Sequence, residues 1–126
     1  MYFIHLICLI DFYLKCFVNN KIIFKNKYFL FGIEKHINHG FTFNFLSKIN
    51  YIYLCLIQLF VLIILYFNFY DNYIEVIIIA GYYNLLDRFY HKYIIDYIKI
   101  NNIIFNLTDI IIYSSLIIMI LSKLYK

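Results

Sequence analysis

Apolar residues fall into four runs, at about residues 2–18, 51–70, 73–88 and 107–124. A membrane-spanning helix needs about 20 residues, within roughly 17–25. The second run meets that comfortably, and the first and fourth lie near the lower limit. The third is apolar only over 73–86, so it must borrow residues at its ends or sit where the bilayer thins. The pattern predicts four helices. The link at Asp71-Asn72 is minimal and makes the second and third helices antiparallel neighbours. The link at 87–106 is longer and mixed. The first link is the longest and holds Phe41-Thr42-Phe43-Asn44-Phe45, whose alternation argues for a half-buried strand. Residues 21–31 are strand-like by content. These features predict a small sheet at the membrane surface between helices 1 and 2. No repeat or flexible linker divides the chain, so 1–126 reads as one domain.

Composition supports lipid as the solvent. The chain is 65% hydrophobic and 14% charged, against about 25% charged in soluble domains. Its Ile, Phe, Tyr, Asn and Lys are what an AT-rich genome encodes most readily, so single Lys, Asn or Tyr positions carry little weight. The net charge of +4 is mild and the lysines form no dense run, which argues against nucleic-acid binding. Cys8, Cys16 and Cys55 lie in apolar stretches at no ligand spacing and read as filler. The first run has no basic flank or small-residue cleavage site, and carries Asp11 and Lys15. It is expected to be a retained helix, not a signal peptide.

Inside a membrane the costly residues inform most. Threading four antiparallel helices gathers Asp11, Lys15, Asn84, Asp87, Arg88, Asn106 and Asp109 near one leaflet, with Asp96 in the loop beside them. Asp11 and Lys15 are i,i+4 with the acid first, the favourable order. Asn84, Asp87 and Arg88 share one helical face, as do Asn106 and Asp109. By spacing alone these residues are either interfacial anchors and caps or the lining of a site holding an unpartnered carboxylate pair, Asp96 and Asp109.

The order of short motifs narrows that choice. Asp11-Phe12-Tyr13-Leu14-Lys15 is similar to D-Q-x-x-K, and Asn38-His39-Gly40-Phe41-Thr42-Phe43 to N-x-G-x-A-F. Asn84-Leu85-Leu86-Asp87-Arg88 carries N-x-x-D-R. Tyr93-Ile94-Ile95-Asp96-Tyr97-Ile98 is like a V-V-D-F strand, and Phe105-Asn106-Leu107-Thr108-Asp109 like F-N-x-A-D. In this order the segments resemble the lipoprotein signal peptidases (signal peptidase II), from Asp11 to Asp109. Tyr83 stands where the family has glycine, Thr42 and Thr108 where it has alanine, and the proline before the last asparagine is missing.

The resemblance implies an all-α integral membrane protein with four transmembrane helices and a small extracytoplasmic sheet. It makes Asp96 and Asp109 the catalytic pair of an aspartic endopeptidase. Two carboxylates sharing a site hold one proton between them. One serves as base on a water while the other polarises the scissile carbonyl and assists the leaving amine. Asn38, Asn84, Arg88 and Asn106 are expected to line the cleft and position substrate. Asp11 and Lys15 are expected to brace the helices, and Asp87 to brace Arg88. The implied substrates are diacylglyceryl-modified prolipoproteins, cut before the lipidated cysteine. Membrane lipids are the other partner, and the protein is expected to be a monomer that uses no cofactor and no metal. His36 and His39 are i,i+3 but have no nearby carboxylate or cysteine in sequence, so they read as loop histidines.

Two rivals remain: a non-catalytic small membrane protein, ion-conducting or holin-like, and an inactive homologue, suggested by Tyr83. On topology two signals disagree. The long links carry Lys21, Lys25, Lys27, Lys35, Lys48, Arg88, Lys92 and Lys99, against Lys123 and Lys126 on the other side. The charge rule would put those links in the cytoplasm. The family places the site on the extracytoplasmic face of the bacterial inner membrane, and that placement is the expectation adopted.

Overall fold

The computed structural model describes residues 2–20, 31–40, 45–68, 71–101 and 103–125. The order is α1 (Tyr2–Asn20), β1 (Phe31–Asn38), α2 (Tyr51–Asn68), α3 (Asn72–His91), β2 (Ile94–Ile100), β3 (Ile103–Phe105) and α4 (Leu107–Leu124). Three helices, α1, α2 and α4, are long and apolar enough to cross a membrane. The fourth, α3, has 20 residues, about 30 Å at the usual rise, but carries the polar residues that lower its hydropathy.

Helices α1, α3 and α4 bury polar residues, and the outward faces of the bundle are apolar. On α1 the buried positions are Cys8, Asp11, Lys15 and Val18, a stripe at spacings of three and four. Phe3, Leu6, Ile10, Tyr13 and Phe17 are exposed. On α4 Thr108 and Ser115 are buried while Ile110, Ile117 and Leu121 point outward. Exposed apolar surface on this scale suits a lipid environment.

The third helix packs on each of the others. Asp71 caps its start by accepting from the Tyr73 amide at 3.0 Å. Its other end closes at Lys92, in the left-handed region at φ 68°. Gly81 gives α2 close access: a Cβ there would lie 2.8 Å from Leu62 Cδ2. Tyr83 is accommodated elsewhere, edge-on to His5 at 6.1 Å.

A three-stranded antiparallel sheet, ordered β1-β2-β3, caps the end of the bundle where α3 stops and α4 begins. It pairs Asn38 with Ile94 and His36 with Asp96, with an irregularity between Ile33 and His36. Asn101, at φ 55°, turns β2 back toward β3. Ile95 and Tyr97 pack on Val18 of α1. Lys35 Nζ and the Tyr93 hydroxyl both donate to Asn19, at 3.1 and 3.3 Å.

Several expectations change. The third helix runs to His91, not to residue 86 or 88, because Asn84, Asp87 and Arg88 have partners inside the bundle and do not end the helix. Asp96 lies in a strand, as its V-V-D-F-like motif implied, and not in the loop that threading the helices alone suggested. The sheet is not confined to the link between α1 and α2: that link supplies β1, and the α3–α4 link supplies β2 and β3. The alternating segment at 41–45 lies outside the described residues except for Phe45, which opens a turn over 45–48. Residues 21–30 also lie outside them, and Phe31 begins β1.

Candidate active site

The polar residues of the sequence meet where the sheet joins the bundle. Asp11, Lys15, Asn38, Asn84, Asp87, Arg88, Asp96 and Asn106 are all buried, and Asp109 is half-buried. They form two connected groups.

The first group is ionic. Lys15 Nζ sits 2.6 Å from Asp11 Oδ2, contacts Asp87 Oδ2, and donates to Asn84 Oδ1 at 3.0 Å. Asp11 also accepts from the Tyr97 hydroxyl at 2.7 Å and from the Leu107 amide at 3.0 Å. It therefore ties α1 to the sheet and to the start of α4. Burial, then the Asp11 charge, pushes the Tyr97 phenol up, so it stays a donor. Asp87 is engaged with Lys15. Arg88 reaches Gln58 Oε1 and the Gly40 carbonyl, the latter at 2.6 Å. The expected Asp87–Arg88 brace is thus drawn differently, since consecutive helix residues point about 100° apart.

The second group is the carboxylate pair. Asp96 comes from β2 and Asp109 from the first turn of α4. Asn106 links them. It caps α4 by accepting from the Asp109 amide at 2.9 Å, and its own amide lies 3.5 Å from Asp109 Oδ2. Its side-chain NH2 donates to Asp96 Oδ1 at 2.7 Å. Asn38 donates to Asp96 Oδ2 at 3.1 Å and Asn84 to Asp109 Oδ1 at 3.2 Å.

The orientation of each asparagine follows from its oxygen. Asn38 Oδ1 accepts from the Gly40 amide at 3.0 Å, Asn106 Oδ1 from the Asp109 amide, and Asn84 Oδ1 from Lys15. With the oxygens pinned, each NH2 must face a carboxylate. Burial pushes Asp96 above the usual carboxylate range. The hydrogen bonds from Asn106 and Asn38 oppose that shift.

Two apolar cavities meet at Asn38 and Asp109. One, of about 440 Å³, lies along α4 and β3 and includes Asp96, Phe105, Tyr113 and Ile117. The other, of about 410 Å³, lies between α2, α3 and α4 and includes Gln58, Leu62, Gly81 and Arg88. Asn38 and Asp109 line both. No group of three His, Cys, Asp or Glu side chains stands together as a metal site among the described residues.

Sequence reasoning missed Gln58, Thr108 and Tyr97. The Thr108 hydroxyl lies 2.6 Å from both Asn84 Oδ1 and Asn106 Oδ1, and 3.1 Å from Asp11 Oδ2. It fills the space between the two groups. Gln58 was findable: it is the polar residue amid the apolar run of α2, four positions from both Leu54 and Leu62.

Fold and site together define a helical membrane protein with a buried acidic site where its sheet meets its helices. The profile of the signal peptidase (SPase) II family matches residues 3–125. The chain belongs to the signal peptidase II family, whose members are membrane proteases of the aspartic type that process lipoproteins. In fold it is similar to a bacterial membrane enzyme solved by the in meso method. The identity is 21% and the TM-score 0.76, over 99% of this chain and 89% of that one. No curated protein was found to match.

Proposed function

We propose that the protein removes signal peptides from diacylglyceryl-modified prolipoproteins, cutting before the lipidated cysteine, with Asp96 and Asp109 as the catalytic pair. The observation that carries this reading is the position of the two carboxylates. They line one cavity, share Asn106, and have a donor facing each oxygen.

The chemistry follows from that geometry. Two carboxylates in one site hold a single proton. The ionised partner takes a proton from water as the water attacks the scissile carbonyl. The protonated partner polarises that carbonyl, and then its proton goes to the departing amine. The apparent pKa values belong to the pair. Charge balance favours the arrangement. Lys15, held between Asp11 and Asp87, and Arg88 are the two cations whose charges reach the pair.

In this reading Asn38, Asn84 and Asn106 orient the carboxylates, and Arg88 lines the cleft. The two apolar cavities suit a substrate with two apolar parts, a signal helix and acyl chains. All four helices cross the bacterial inner membrane, the sheet faces the extracytoplasmic side, and the protein works as a monomer. The Tyr83 departure favours no inactive homologue, because close α2–α3 contact is made at Gly81.

The test is to incubate the purified protein in detergent with a diacylglyceryl-modified prolipoprotein and map the new N-terminus by mass spectrometry. The expected product begins at the lipidated cysteine. Cleavage elsewhere, or equal cleavage of the unmodified precursor, would refute the assignment.

A further inference from the structure

Gln58 stands alone as a polar side chain on the inner face of α2, and both ends of its amide are used. Its Nε2 donates to the Gly81 carbonyl at 2.8 Å. Its Oε1 accepts from Arg88 Nη1. A guanidinium has donors only, so it must face the amide oxygen, and the NH2 then faces the α3 backbone. Gly81 has no side chain to shield its carbonyl from α2. The orientation of Gln58 is thereby fixed.

Arg88 carries the connection onward. Its Nη2 donates to the Gly40 carbonyl at 2.6 Å, and the Gly40 amide donates to Asn38 Oδ1 at 3.0 Å. Asn38 in turn donates to Asp96. An unbroken path of hydrogen bonds thus leads from the middle of α2 to one of the paired carboxylates. A planar guanidinium held at both ends keeps one direction. Without Gln58, Arg88 loses the partner on α2 that helps set its angle toward Gly40.

We propose that Gln58 is a positioning residue for the reaction: it aims Arg88 at the Gly40 carbonyl and so holds Asn38 against Asp96. The proposal rests on the assignment of Asp96 to the catalytic pair. The charged groups around Asp96 are Asp11 and Lys15 from α1, Arg88 from α3 and Asp109 from α4. His36 is its cross-strand partner on β1. Gln58→Leu changes the charge of none of them.

The experiment compares wild type, Gln58→Leu, Gln58→Glu and Asp96→Asn in detergent. It reads prolipoprotein cleavage across pH, and amide hydrogen exchange in the segment containing Gly40. Gln58→Leu is expected to lower kcat by about tenfold, the size of one lost hydrogen bond to a charged group, with KM little changed. It also shifts the acidic limb of the rate profile to higher pH and speeds exchange at Gly40. Gln58→Glu keeps an oxygen facing Arg88 and restores the exchange protection at Gly40, while its added charge means that the limb is read from Gln58→Leu. An unchanged limb and unchanged exchange in Gln58→Leu overturn the proposal and leave Gln58 as a packing residue. Retained activity in Asp96→Asn marks failure of the catalytic assignment instead. The Gly40 exchange rate then still decides whether Gln58 holds the turn through Arg88.

Discussion

At the scale of residues, the site is governed by three asparagines whose oxygens are pinned and whose NH2 groups face carboxylates. Each NH2 favours the ionised form of the acid it touches. Asn38→Ala removes one such donor from Asp96, whose burial already raises its pKa. The pKa rises further, so a higher pH is needed to ionise the group. The acidic limb of the kcat/KM profile is expected to move to higher pH, and an unmoved limb would separate Asn38 from the titrating pair. Asp96, Asp109 and the asparagines were legible in the sequence because acids and amides beside apolar runs stand out. Gln58, the one glutamine in the chain, was findable as a polar residue inside an apolar run, but Thr108 was not, since a hydroxyl in the first turn of a helix resembles an ordinary capping residue. Only the partners across the bundle, Arg88 and Asn84, give them meaning.

At the scale of elements, α4 matches its expected span of 107–124, because the Asn106 cap fixes where it starts. The end of α3 was misjudged for a physical reason. Asn84, Asp87 and Arg88 look like a helix terminus in water, but here they are buried against the neighbouring helices and the helix continues to His91. The strand β2 was legible only through its V-V-D-F-like motif, and β3 was hidden in a link of mixed character. The bundle depends on Lys15, which bridges Asp11 of α1 and Asp87 of α3. Lys15→Met leaves two buried carboxylates without their cation, at a cost of about 3 kcal/mol or more. A thermal melt in detergent is expected to show severe destabilisation. Combining it with Asp11→Asn and Asp87→Asn is expected to recover much of the loss. Equal stability of Lys15→Met and wild type would mean that the cluster does not brace the helices.

At the scale of the whole molecule, the chain is an inside-out bundle with its chemistry gathered at one end, under the sheet. Which side of the membrane that end faces is where sequence signals conflict, because lysines crowd the links that hold the sheet. A cysteine placed at Asn101, in the exposed turn after β2, is expected to react with an impermeant maleimide added outside intact cells. Labelling only after lysis would reverse the topology. The central claim is that Asp96 and Asp109 act together on a lipidated precursor. Its most direct test is cleavage of a diacylglyceryl-modified prolipoprotein by wild type beside Asp96→Asn and Asp109→Asn, each checked for folding by thermal melt. The account predicts that either substitution lowers the rate by about a thousandfold or more in a folded protein. A folded variant that cuts at the wild-type rate would contradict it, and the two aspartates would then be only a strand residue and a helix cap.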